Sequence, residues 1–90
     1  MQAMADEMMK IFGEFGKIKN EAPESEKAQA LVKALQDHIT RNYYNCSKQV
    51  LSGLGLMYSN DPEFKVNIDA AGGEGTAEFA SRAIAVYCAH

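Results

Sequence analysis

The chain predicts an all-α fold, and three observations carry that prediction. Apolar residues recur at helical spacing along most of its length. No four-residue stretch alternates cleanly with β-branched residues, so strand signals are missing. Serine, aspartate-proline and glycine stand where such helices would start and stop. The result is four main helices and one short one in a single domain, residues 1–90.

The first helix spans residues 2–19. Met4, Met8, Ile11, Phe12, Phe15 and Ile18 share one stripe, with Asp6, Glu7, Lys10, Glu14 and Lys17 mostly off it. Gly13 and Gly16 weaken its far end by roughly 1 kcal/mol each relative to alanine. Four of the five methionines lie in the first nine residues, either packed in the core or presented as an adaptable binding surface. Residues 20–24 are polar with one proline and read as a loop.

Ser25 is a suitable N-cap for a second helix reaching residue 42, with Ala28, Leu31, Leu35, His38 and Ile39 as its stripe. Ser47 caps a third helix running to residue 59, its inner face made by Val50, Leu51, Leu54, Met57 and Tyr58. Asp61-Pro62 starts one or two further turns through Phe64 and Ile68. Gly72, Gly73 and Gly75 then break the chain. The last helix, residues 76–88, is apolar almost all round and is therefore expected at the centre.

At 90 residues and 9.9 kDa there is room for one domain with a thin core. A formal charge of −3 and a pI near 5.3 remove the electrostatic footprint of direct nucleic-acid binding. The longest apolar run has seven residues, 83–89, too few to span a membrane. The opening MQAMADEMMK carries acids and lacks the basic start of a signal peptide. Two cysteines, Cys46 and Cys88, do not make a secreted disulfide scaffold, and a cytoplasmic setting is expected.

No enzyme constellation emerges. His38 lies near a helical stripe and reads as a core-edge residue, while His90 ends the chain. Glu24 with Glu26 and Glu74 with Glu78 sit at helix starts, where the helix dipole accounts for them. The glycine run 72–75 follows no strand and lacks the P-loop lysine, so it reads as a flexible corner. No metal site or cofactor is expected. What does stand out is the placement of aromatic residues around the third helix: Tyr43 and Tyr44 before it, Tyr58 near its end, Phe64 beyond, and Tyr87 late in the chain. Tyrosines, apolar at one end and polar at the other, suit a cleft for an amphipathic ligand. Gly53 and Gly55 interrupt that helix, serving either close helix packing or a smooth groove wall.

The order Tyr44-x-Cys46, Leu54-x-x-Met57-Tyr58, Asp61-x-x-Phe64, Ile68-Asp69, a glycine corner, then Ala83-Ile84 and Tyr87 resembles the TipAS antibiotic-recognition domain. That domain is the C-terminal effector module of a group of MerR-family transcriptional activators. The resemblance is strongest over residues 30–88. It implies a reduced globin-like arrangement of helices around a ligand cleft, without haem. It further implies binding of cyclic thiopeptides or other bulky apolar drugs, with the signal passed to DNA by a separate winged helix-turn-helix and a dimerising coiled coil. On this reading the chain is an excised effector domain or a stand-alone drug-sequestering product. The isolated domain would be monomeric and the intact regulator a homodimer, with no membrane partner.

By position, Tyr43, Tyr44, Leu54, Met57, Tyr58 and Phe64 are the expected cleft contacts, joined by Ile68, Phe79 and Tyr87. Between two of these, Tyr58 is assigned to the cleft and Phe64 chiefly to the core. Asp61 and Asp69 match the pattern as well, and capping accounts for them. In family members that trap thiopeptides covalently, a cysteine stands seven residues beyond the Tyr-x-Cys cysteine. That position is Gly53 here, which places it beside the ligand and implies reversible binding. Cys46, just before the third helix, is expected to lean toward thiolate under the helix dipole. The rival reading is a helical protein–protein module in which the Met-rich first helix docks a partner helix.

Overall fold

A computed structural model describes residues 3–89, with side chains from residue 7 onward; the Met4 side chain and His90 lie outside the described residues. Five helices follow in order: α1 (Ala3–Lys17), α2 (Glu26–Asn42), α3 (Lys48–Asn60), α4 (Pro62–Gly72) and α5 (Thr76–Cys88).

The caps form where local chemistry demands them. The Ser25 and Ser47 hydroxyls accept from the Ala28 and Val50 amides, each at 3.2 Å. Asp61 Oδ1 accepts from Glu63 N at 3.0 Å, with Pro62 opening α4. Helix α5 begins at Gly75, which has no side chain to cap with. Asp69 supplies the missing acceptor from α4, taking the Ala77 amide at 2.9 Å. Lys19 Nζ donates to Glu74 O at 2.8 Å and to Gly72 O at 3.5 Å. A cation there complements the negative end of α4.

Helix α5 packs against all four others, and Ala77, Phe79, Ala80, Ala83 and Ile84 are buried along it. Its expected central position is the observed one. The α1 stripe points inward through Phe12 and Phe15, with Met8, Ile11 and Ile18 packed around them. On α2, Val32 is buried in place of Leu31, which lies half-buried at the core edge. His38 is fully inside, with Asn42 Nδ2 3.1 Å and a Glu7 carboxylate oxygen 3.6 Å from its Nδ1.

Two expectations are corrected. Helix α4 has 11 residues, three turns rather than one or two. Its apolar pattern is weak, and packing against α1, α3 and α5 sustains it. A Cβ at Gly16 of α1 would collide with the Gly72 backbone, so the two helices approach closely only because glycine stands at both places. On α3 the buried face is Leu51, Gly55 and Tyr58, whereas Val50 and Met57 are exposed. Gly55 is the pole of contact with α5, since a Cβ there would stand 2.9 Å from Ile84 Cγ2. Hydrophobic periodicity cannot register a contact made by a residue without a side chain.

Candidate functional site

An apolar cavity of about 320 Å³ opens between four of the helices. Helix α1 contributes Met8, Met9 and Phe12, and the end of α2 contributes Ile39 with Tyr43 and Tyr44 just beyond it. The remaining walls are Leu54 and Tyr58 from α3, then Phe64, Asn67 and Ile68 from α4. Among the described residues the lining holds no Asp, Glu, Lys, Arg or His side chain. Among the described residues no group of three His, Cys, Asp or Glu forms a metal site.

The aromatic wall is built around Tyr58. Its ring meets Phe12 edge-on, centroids 5.2 Å apart at 82°, and Phe64 at 5.7 Å and 61°. Such tilted contacts favour aromatic pairs beyond simple area burial. Tyr43 packs in the same manner on His38, at 6.0 Å and 69°. Burial first, and then the neighbouring Tyr44, Cys46 and Tyr43, push the Tyr58 phenol well above its ordinary pKa. Its hydroxyl therefore stays a hydrogen-bond donor across the whole working pH range.

Six of the ten site candidates come together here: Tyr43, Tyr44, Leu54, Tyr58, Phe64 and Ile68. The other four stand elsewhere. Gly53 faces open space on the outer side of α3, and Met57 is 43% exposed beside that surface. Phe79 is buried against Phe15, ring centroids 6.2 Å apart. The Tyr87 hydroxyl donates to Gln36 Oε1 at 2.7 Å, and the same amide donates to Cys46 O at 2.9 Å. Tyr87 thus pins the α2–α3 connection. The division between Tyr58 and Phe64 is also corrected. Tyr58 is 4% exposed and serves core and cavity together, while Phe64 is 39% exposed at the cavity wall.

The sequence reading left Met8, Met9, Phe12, Ile39 and Asn67 out of the lining. Met8, Phe12 and Ile39 lie on stripes that periodicity assigns to the core; Met9 and Asn67 carry no periodic signal at all. The expectation for Cys46 is reversed. It is buried, and desolvation, followed by the neighbouring Cys88 thiol, raises its pKa. The helix dipole is outweighed because a charge at that depth loses its hydration. Cys88, half-buried with its Sγ 3.2 Å from Lys48 O, is likewise pushed up by burial, against an opposing effect of Lys48. Neither thiol lines the cavity.

Fold and site together define a small all-α domain with an apolar chamber between four of its helices. The chain belongs to the TipAS antibiotic-recognition domain family, whose pattern matches residues 1–87. It is 36% identical over 93 residues to the HTH-type transcriptional activator mta of Bacillus subtilis (strain 168). That match takes in 96% of this chain and 36% of the activator, so the chain spans about a third of that relative's length. No solved structure gives a significant match. No helix among the described residues is long and apolar enough to cross a membrane.

Proposed function

We propose that this domain is the effector-sensing part of a MerR-type transcriptional activator and receives a hydrophobic drug or antibiotic in the cavity between α1, α2, α3 and α4. The observation that carries the reading is the apolar chamber itself, walled by Tyr44, Tyr58, Phe64 and Ile68 in a chain of the antibiotic-recognition family. A ligand that fits only the ordered walls shifts the population toward that state, and the attached regulator responds to the shift. DNA contact and dimerisation belong to other parts of such a regulator. The rival helix-docking reading has less support, since among the described α1 residues Phe12 and Phe15 are buried in the core and Met8 and Met9 line the cavity.

The test is a thermal-shift screen against thiopeptides and bulky apolar drugs. A ligand at 100 times its Kd stabilises by about 2.7 kcal/mol, a rise of roughly 10 °C or more for a domain of this size. Tyr44 lines the cavity yet is 51% exposed, so Tyr44→Ala should fold normally and weaken a hit about tenfold, or 1.4 kcal/mol. Met57→Ala, outside the chamber, should leave affinity unchanged. Sensitivity at Met57 with indifference at Tyr44 would move the site to the outer face of α3.

A further inference from the structure

Tyr58 is 4% exposed and lies on the cavity wall, yet its hydroxyl makes no hydrogen bond among the described residues. No buried side-chain oxygen or nitrogen lacks a partner there, so the hydroxyl is not sealed in. Tyr58 lines the chamber, and the neighbours that act on its phenol are Tyr44, Cys46 and Tyr43, of which the two tyrosines share that lining. A phenol on an apolar wall without a protein partner hydrogen-bonds water when the chamber is empty and can give that bond to a ligand acceptor that displaces the water.

Two further observations narrow what that partner is. An apolar cavity of about 150 Å³ takes up benzene, so the present volume of about 320 Å³ holds a compound of about two rings. A thiopeptide macrocycle is far larger and could insert no more than one such portion. Among the described residues the lining also offers no carboxylate, and an unpaired cation is costly to bury. We infer that the cavity selects a neutral, planar bicyclic compound, or one bicyclic portion of a larger drug, that accepts a hydrogen bond from the Tyr58 hydroxyl.

This rests on the cavity being the effector site, and matched probes separate the two claims. Quinoline, naphthalene and N-methylquinolinium share one bicyclic frame. The first offers a neutral acceptor nitrogen, the second no acceptor, and the third a fixed positive charge. Binding is read by NMR from the methyl resonances of Ile39 and Ile68, both on the wall. Quinoline should bind about tenfold more tightly than naphthalene, as one net hydrogen bond allows, and N-methylquinolinium more weakly than both. Tyr58→Phe keeps the ring against Phe12 and Phe64 and should erase the quinoline advantage while leaving naphthalene unchanged. Equal binding of quinoline and naphthalene, or an advantage that survives Tyr58→Phe, overturns the hydrogen bond and leaves the cavity reading intact. Tightest binding by N-methylquinolinium overturns the selection for neutral compounds, assigning cation recognition to the aromatic faces instead. Failure of all three to move either methyl overturns the cavity reading itself.

Discussion

Cys46 shows how one position can be pulled by opposed physical terms, and depth decides between them. It precedes the α3 N-terminus, where the dipole favours an anion, yet it is 3% exposed and its thiol is raised by desolvation. Cys88 is raised as well, though only half-buried and relieved in part by Lys48. Iodoacetamide at pH 8 should therefore label Cys88 slowly and first, and Cys46 only after unfolding. After incubation with a dehydroalanine-containing thiopeptide and denaturation, the intact mass should be that of the bare chain. A Cys46 adduct formed in the folded protein would contradict this. Linkage gives the accompanying pH dependence. Each thiol ionises more readily in the unfolded chain, so below about pH 9 these groups do not change stability. As pH rises above that value the unfolded chain releases protons first, and stability falls toward the folded-state pKa values.

Among the elements, α3 separates two glycines that look alike in sequence. Both cost helix propensity, but Gly55 meets Ile84 of α5 while Gly53 faces open space. Gly53→Ala should stabilise the protein by up to about 1 kcal/mol, whereas Gly55→Ala should destabilise it by about 1–3 kcal/mol through overpacking. Urea midpoints with unchanged slopes would measure both; a neutral Gly55→Ala would show that α3 and α5 separate without cost. The same pair shows where sequence reading stops. Start signals such as Ser25, Ser47 and Asp61-Pro62 are legible because each cap is a local hydrogen bond. The Tyr43, Tyr44 and Tyr58 wall is legible because amphipathic rings cluster around one helix. The α1 wall is not, because Met8 and Phe12 sit on a stripe that reads as ordinary core. Nor is the length of α4, which depends on the Gly16–Gly72 approach of two segments far apart in the chain. Gly53, which the resemblance puts beside the ligand, faces open space outside the chamber, because the face of α3 that lines it is set by the packing of Leu54 and Tyr58.

At the scale of the whole molecule, packing and cavity occupy different parts of the domain. The Cα radius of gyration is 11.7 Å, against about 12 Å for a compact chain of this length, so the chamber is not made by swelling the fold. Helix α5 touches every other helix but contributes no residue to the lining. The lining residues of α1 and α4 instead leave their inner surfaces partly without protein neighbours. Amides of α5 should accordingly exchange near the limit set by global unfolding, while those of residues 8–12 and 64–68 exchange through smaller local openings. A compound that fills the chamber supplies the missing contacts to α1 and α4 directly. It reaches α5 only through the added global stability. Hydrogen exchange with a thermal-shift hit at saturation should therefore slow residues 8–12 and 64–68 by a larger factor than residues 77–84. Equal slowing everywhere would mean that α1 and α4 already open only with the whole domain, so that filling the chamber produces no local change.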